Sequence, residues 1–154
     1  MDYASTVEEA LCFGWIDSVP RKLDDRRKML YFCPRKHRSV WSKLNKERIT
    51  RLIAEKRMSA AGLKKIEIAN ANGSWTSIDA AEALEMPPDQ LRALKKNKAA
   101  HKHHEAFPPS ARKQIITWVI GARTEETRKR RIAVSVELAA KNIRANGQTV
   151  RSRA

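Results

Sequence analysis

Two proline pairs and a set of helix stops constrain this chain more than any other feature. Pro87-Pro88 and Pro108-Pro109 stand where helices can begin, because proline is tolerated at the first helical position and disrupts a helix interior. Asn72-Gly73 and Gly121 stand where helices can end, since these residues accept the backbone that closes one. Between these marks apolar side chains recur at helical spacing. Leu91 and Leu94 follow the first pair. Ile115, Ile116, Val119 and Ile120 follow the second, with Ser110 as cap and Trp118 off the stripe. Ile132, Val136, Ala139 and Ile143 follow a Thr124 cap and run to Asn146-Gly147, which predicts the longest helix. The chain is polar from Lys96 through His104, and residues 148–154 read as a basic tail.

The first half carries weaker signals. Thr6-Val7-Glu8-Glu9 has the form of a capping box, and Gly14 closes the short helix that it opens. Residues 18–28 are polar, and Met29 to Cys33 form an apolar run closed by Pro34, short and aromatic enough for a strand. A lone strand needs a partner, and none is evident nearby. Trp41, Leu44, Ile49, Leu52 and Ile53 share a helical face from Ser42 or Asn45 to about Arg57. Ser59 caps a second helix carrying Leu63, Ile66 and Ala69, so the two make a helical hairpin. Residues 74–86 read as a loop with at most one turn. The expected fold is mainly α, an antiparallel helical bundle with a small β element near residues 29–33.

Composition agrees with a folded chain. Of 154 residues, 42% are hydrophobic and 32% charged, too apolar for a disordered protein and enough for one domain or slightly more. No apolar run reaches membrane-spanning length, and the N-terminus lacks the pattern of a secretory signal, so a cytoplasmic protein is expected. Cys12 and Cys33 are too few for a disulfide framework and suit a reducing compartment.

The net charge of +15 is unevenly distributed. Residues 1–20 have four acids and no Lys or Arg; residues 21–57 have 14 basic and four acidic side chains. Residues 58–109 are nearly balanced, and 110–154 have 11 basic and three acidic. Two basic blocks, 21–57 and 110–154, can attract nucleic acid, anionic lipid or an acidic protein face. Within the second, Arg128, Lys129, Arg130 and Arg131 spread around a helix instead of lining one face. Part of that run then serves structure, Arg128 covering apolar surface or meeting a carboxylate.

Candidate chemistry is sparse. His101, His103, His104 and Glu105 could offer two ligands on one face, fewer than the three or four that zinc needs, so no metal is expected. The cysteines lie on apolar segments without a local base, and there is no glycine-rich phosphate loop. Neither a catalytic site nor a cofactor is expected. Pro34 to Asn45 is more distinctive, with cationic side chains, a tryptophan and three small polar residues just before a helix, a sound setting for an anion. The alternative is that Ser39, Ser42 and Asn45 are caps and Trp41 is core.

Glu9-Ala10-Leu11-Cys12-Phe13-Gly14-Trp15-Ile16-Asp17, Pro34-Arg35, Ser39-Val40-Trp41-Ser42-Lys43-Leu44-Asn45, Met58, Ala61-Gly62-Leu63 and Gly73-Ser74-Trp75 resemble the YdeI/OmpD-associated, or bacteriocin-protection, family. Trp118-Val119-Ile120, Ala122-Arg123 and Thr127-Arg128 to Arg131-Ile132 resemble the family's helical OmdA module. The resemblance implies a YdeI-like core region at 1–76, an OmdA-like module at 87–147 and a tail at 148–154. It further implies a chain shortened at its N-terminus, whose missing strands would pair with residues 29–33 and make the fold α+β. The Ala-rich stretch 78–86 and the histidines at 101–104 are not part of it.

The function that the resemblance implies is non-enzymatic tolerance of bacteriocins and cationic antimicrobial peptides, with a protein partner of porin or envelope type. A porin partner would suit a periplasmic protein, should the native N-terminus be longer. Trp15, Asp17, Arg35, Arg38, Ser39, Trp41, Ser42 and Asn45 are the candidate binding surface for an anionic small molecule or acidic protein face. The alternative is weak nucleic-acid binding through the two basic blocks, with Arg128 to Arg131 as its patch.

Overall fold

The computed structural model describes residues 2–145. The chain forms two compact units, one through Ser77 and one from Ile78, and both are built mainly from helices.

In the first unit, α1 (Tyr3–Cys12) begins where the Asp2 side chain accepts the Ser5 N–H. The Thr6 hydroxyl donates back to the Asp2 carbonyl, so Asp2, and not the expected Thr6, is the cap. Gly14, at φ +72°, then turns the chain into β1 (Trp15–Asp17). This segment is the partner that residues 29–33 lacked in the sequence. It pairs antiparallel with β4 (Phe32–Pro34) in the register Trp15 to Pro34, Ile16 to Cys33 and Asp17 to Phe32. The expected single strand is divided, since Lys28–Met29 form β3, which pairs with β2 (Arg21–Lys22).

Helix α2 (Lys43–Ala54) is capped by Ser42, and α3 (Ala60–Ala71) by Ser59. Both lie against α1. The core of this unit joins Val7, Leu11, Trp41, Ile49, Leu52 and Ala69. Leu44, Ile53 and Leu63, expected inside, are exposed. Trp41 fills the space ahead of α2, and α3 approaches α1 through Gly62, where a Cβ would strike the Cys12 carbonyl. That carbonyl accepts both the Ser59 N–H at 3.0 Å and the Ser59 hydroxyl at 2.7 Å. One helix's last acceptors and the next helix's cap are thereby satisfied together.

In the second unit, α4 (Asp79–Glu82) is the single turn within residues 74–86. Pro87 precedes α5 (Pro88–Lys95), as the proline pair predicts. The polar stretch after Lys95 is a helix, α6 (Lys98–Ala106), capped by Asn97 and buried through Ala100 and His104. Its inward face carries Ala and His, so no aliphatic stripe announces it. Helix α7 (Pro109–Ile120) starts after Pro108 without a side-chain cap, so Ser110 does not serve as one, and it buries Ala111, Ile115, Ile116 and Val119.

Thr124 caps α8 (Glu125–Ala140), accepting the Thr127 N–H. This helix ends earlier than expected, with Asn142 at φ 56° and the Ile143 N–H donating to the Leu138 carbonyl. Asn146-Gly147 and the basic tail lie outside the described residues. Leu94, Ala100, Phe107, Ile115, Leu138 and Ala139 join α5 to α8 in one core. Ile78, Ala81 and Ile116 make a smaller one.

Candidate functional site

The Arg35 to Asn45 segment builds a layered arrangement of cations and aromatic rings. Arg35 follows β4, and its N–H donates to the Gly14 carbonyl at 3.0 Å, which ties it to the turn before Trp15. Its guanidinium lies 3.6 Å from the Trp41 ring centre, and Nη1 donates to the Val40 carbonyl at 3.0 Å. The Trp41 ring meets Trp75 at 5.2 Å, tilted by 49°. Lys46 Nζ is 5.4 Å from the Trp75 ring centre. The order is cation, ring, ring, cation, an arrangement favoured by the negative faces of the indoles.

Arg35 and Trp41 are each only 2% exposed, so they are the frame of this region, not its outer surface. Burial pushes the Arg35 guanidinium down to about 10, against the pull of the Asp17 charge, and it stays protonated at neutral pH. Its Nε and Nη2 have no hydrogen-bond partner, leaving a fixed positive charge in the interior. Asp17, half-buried on β1, accepts the Tyr3 hydroxyl at 2.7 Å, and this contact raises the tyrosine's pKa. Ser42 caps α2, and Ser39 accepts the Lys36 N–H at 3.1 Å. Asn45 accepts from Arg48 at 3.2 Å. Arg38 is exposed, as are Lys36, His37 and Lys43 around it. The structure thus brings Asp17, Arg35 and Trp41 together beneath a basic loop.

Trp15 belongs to a different feature. It lines an apolar groove of about 370 Å³ with Thr6, Glu9, Ala10, Phe13 and Phe32. Much of the first basic block is balanced locally: Glu8 meets Arg51 and, at 3.9 Å, Arg48, while Glu9 lies 3.6 Å from Arg57. The acidic start of the chain neutralises the α2 face.

The run at 128–131 divides. Arg128 grips Asp89 through two hydrogen bonds of 2.7 and 2.8 Å, which lower the Asp89 pKa and raise that of Arg128. Arg131 donates to the Trp118 carbonyl at 2.5 Å and lies 5.4 Å from that ring's centre. Lys129 and Arg130 are exposed. Asp89 also lines a pocket of about 510 Å³ between α5 and α8, with Arg92, Lys96 and Glu137.

Of the four histidines, His101 lies 3.7 Å from Glu105, and His103 Nδ1 lies 2.8 Å from the Ala139 carbonyl. His104 is buried, which lowers its pKa, with Nε2 unpartnered. Among the described residues no three His, Cys, Asp or Glu side chains are grouped for a metal. Burial raises the Cys12 thiol's pKa. Trp75 and Asp89 were not legible as partners, because each acts across a long sequence separation, and nothing local marks Gln90 and His104 as buried polar groups.

These features define a mainly α protein with a basic, aromatic first unit and a second unit that is helical among the described residues. Residues 83–142, within the second unit, match the family described as "Bacteriocin-protection, YdeI or OmpD-Associated" (OmdA). Residues 1–65 match a separate family, a domain of unknown function, DUF8412. The motifs around Trp15 and from Arg35 to Asn45 fall within that domain, outside the OmdA match. No curated protein and no solved structure matches the chain.

Proposed function

We propose that the chain is a non-enzymatic bacterial tolerance protein of the bacteriocin-protection type, whose first unit binds an anionic ligand or an acidic protein face. The observation that carries this reading is the Arg35 charge, held in the interior with two donors unpaired under a loop whose Lys36, His37 and Arg38 are exposed. A buried cation and exposed ones then add to one positive potential. The OmdA match supports the link to protection. With a net charge of +15 the protein repels cationic peptides, so protection runs through a partner and not through sequestration.

A non-catalytic role accords with the buried Cys12, whose raised thiol pKa disfavours the nucleophilic thiolate. We take the site of action to be the cytoplasm, which suits the two free thiols. Association with a porin, the partner that the family's name suggests, would place the chain in the periplasm instead, with the same binding face. The test is survival of a host lacking the gene, challenged with cationic peptide, with and without the restored chain. Restored survival is expected, and unchanged survival would reject the reading.

A further inference from the structure

Residues 15–34 form one antiparallel ribbon that leaves both edges unpaired among the described strands. Beyond the β1–β4 pairing, the Ser18 N–H donates to Tyr31 and the Leu23 N–H to Arg27. Between Ser18 and Arg21 the first strand carries one residue more than its partner, at Val19-Pro20, a bulge that suits proline on an edge.

Arg21 stands opposite Met29 and Lys22 opposite Lys28, so by strand alternation Leu23, Met29 and Tyr31 share the face of Arg21. That face is wet. Tyr31 is 67% exposed, Leu23 56% and Met29 48%, and Val19 in the bulge is 82% exposed. Phe13 and Trp15, at the ribbon's base, are exposed as well. Among the described residues every exposed large hydrophobic lies in the first unit.

The ribbon's charge is one-sided. Its three carboxylates are occupied: Asp17 accepts the Tyr3 hydroxyl, Asp24 accepts Nε of Arg27 at 2.6 Å and the backbone N–H groups of Arg26 and Arg27, and Asp25 meets Lys22 at 2.5 Å. Among the described residues no carboxylate pairs with Arg21 on that face or with Arg26 at the turn, nor with Lys28, which by the register lies on the other face. Apolar and aromatic side chains interleaved with unpaired cations fit the boundary of an anionic bilayer, where the former enter the acyl margin and the latter meet headgroups. A nucleic-acid groove asks for hydrogen-bonding side chains across the contacting face, and here only Arg21 and Tyr31 offer them, while Leu23 and Met29 supply none. We propose that this ribbon is a peripheral attachment site for an anionic lipid surface. The inference goes beyond the protection reading and does not depend on it.

The experiment sediments the full chain with phosphatidylcholine vesicles, with and without phosphatidylglycerol, while thermal melting monitors the fold. The wild type is expected to bind only the anionic vesicles, and less at high salt. Leu23→Ser/Met29→Ser should weaken binding at least about tenfold. Arg21→Gln/Arg26→Gln should weaken it roughly 25-fold, at about fivefold per charge. Both variants should melt with the wild type. Four results would overturn the proposal: equal binding to neutral vesicles, no binding, variants that bind like the wild type, or tighter capture of duplex DNA by the same residues. Self-association that both variants abolish would assign the face to a second copy instead. Because the readout is sedimentation, its failure leaves the survival test standing.

Discussion

Arg35 sits where a hydrophobic residue would be cheaper to bury, and its contacts explain why it folds there. Stacking on Trp41 and the bond to Val40 offset part of the desolvation of its charge. Arg35→Ala should therefore cost about 2–3 kcal/mol in urea unfolding followed by tryptophan fluorescence. Arg35→Met, which keeps the stem and removes the charge, should cost clearly less; equal losses would refute a packing role for the stem. His104 makes a second residue-scale test. Its pKa is lowered in the folded state by burial and by the nearby Arg112 charge. As pH falls below about 6.5 the unfolded chain takes up a proton that the folded chain resists, so stability is full above that pH and declines below it. The slope approaches at most about 1.4 kcal/mol per pH unit. His104→Gln should flatten the decline between pH 6.5 and 5, and an unchanged slope would place the effect elsewhere.

Elements whose signals are local were legible in the sequence. Ser42, Ser59 and Thr124 cap helices because the bond runs three residues ahead, within the reach of a short motif. Pro87 marks α5 for the same kind of reason. Two local readings failed, Thr6 and Ser110 as caps; the larger failures were non-local. Trp15 to Asp17 make a strand only through pairing with Phe32 to Pro34, and three residues show no alternation of their own. Helix α6 was hidden because its buried face is Ala100 and His104. In the candidate site, Ser42's position was readable, while the stack of Trp41 on Trp75 joins residues far apart in the chain. The junction of α1 and α3 supplies an element-scale prediction. A Cβ at Gly62 would collide with the Cys12 carbonyl, a backbone atom that cannot turn aside. Gly62→Ala should lower stability by about 1–3 kcal/mol, although alanine is the better helix former. A gain in stability would mean that α3 can move away from α1 without cost.

At the scale of the whole molecule, a charge of +15 no longer describes one uniform polycation. Carboxylates of α1 meet the arginines of α2. In the second unit Asp89 holds Arg128, and Trp118 lies beside Arg131. The exposed positive charge that remains in the first unit gathers on the 21–28 ribbon and on the loop from Lys36 to Lys43, within the domain of unknown function. On the proposal made above, recognition belongs to the first unit, while the stretch that matches the OmdA family lies in the second.

The measurement that tests this assignment most directly is survival under cationic-peptide challenge in a host lacking the gene, complemented with wild type or with Lys36→Glu/Arg38→Glu. Both side chains are exposed, so the variant should melt within a degree or two of the wild type while giving at least about tenfold less protection, as expected when two contact charges are reversed. Full protection by the charge-reversed chain, at equal expression and stability, would contradict the account.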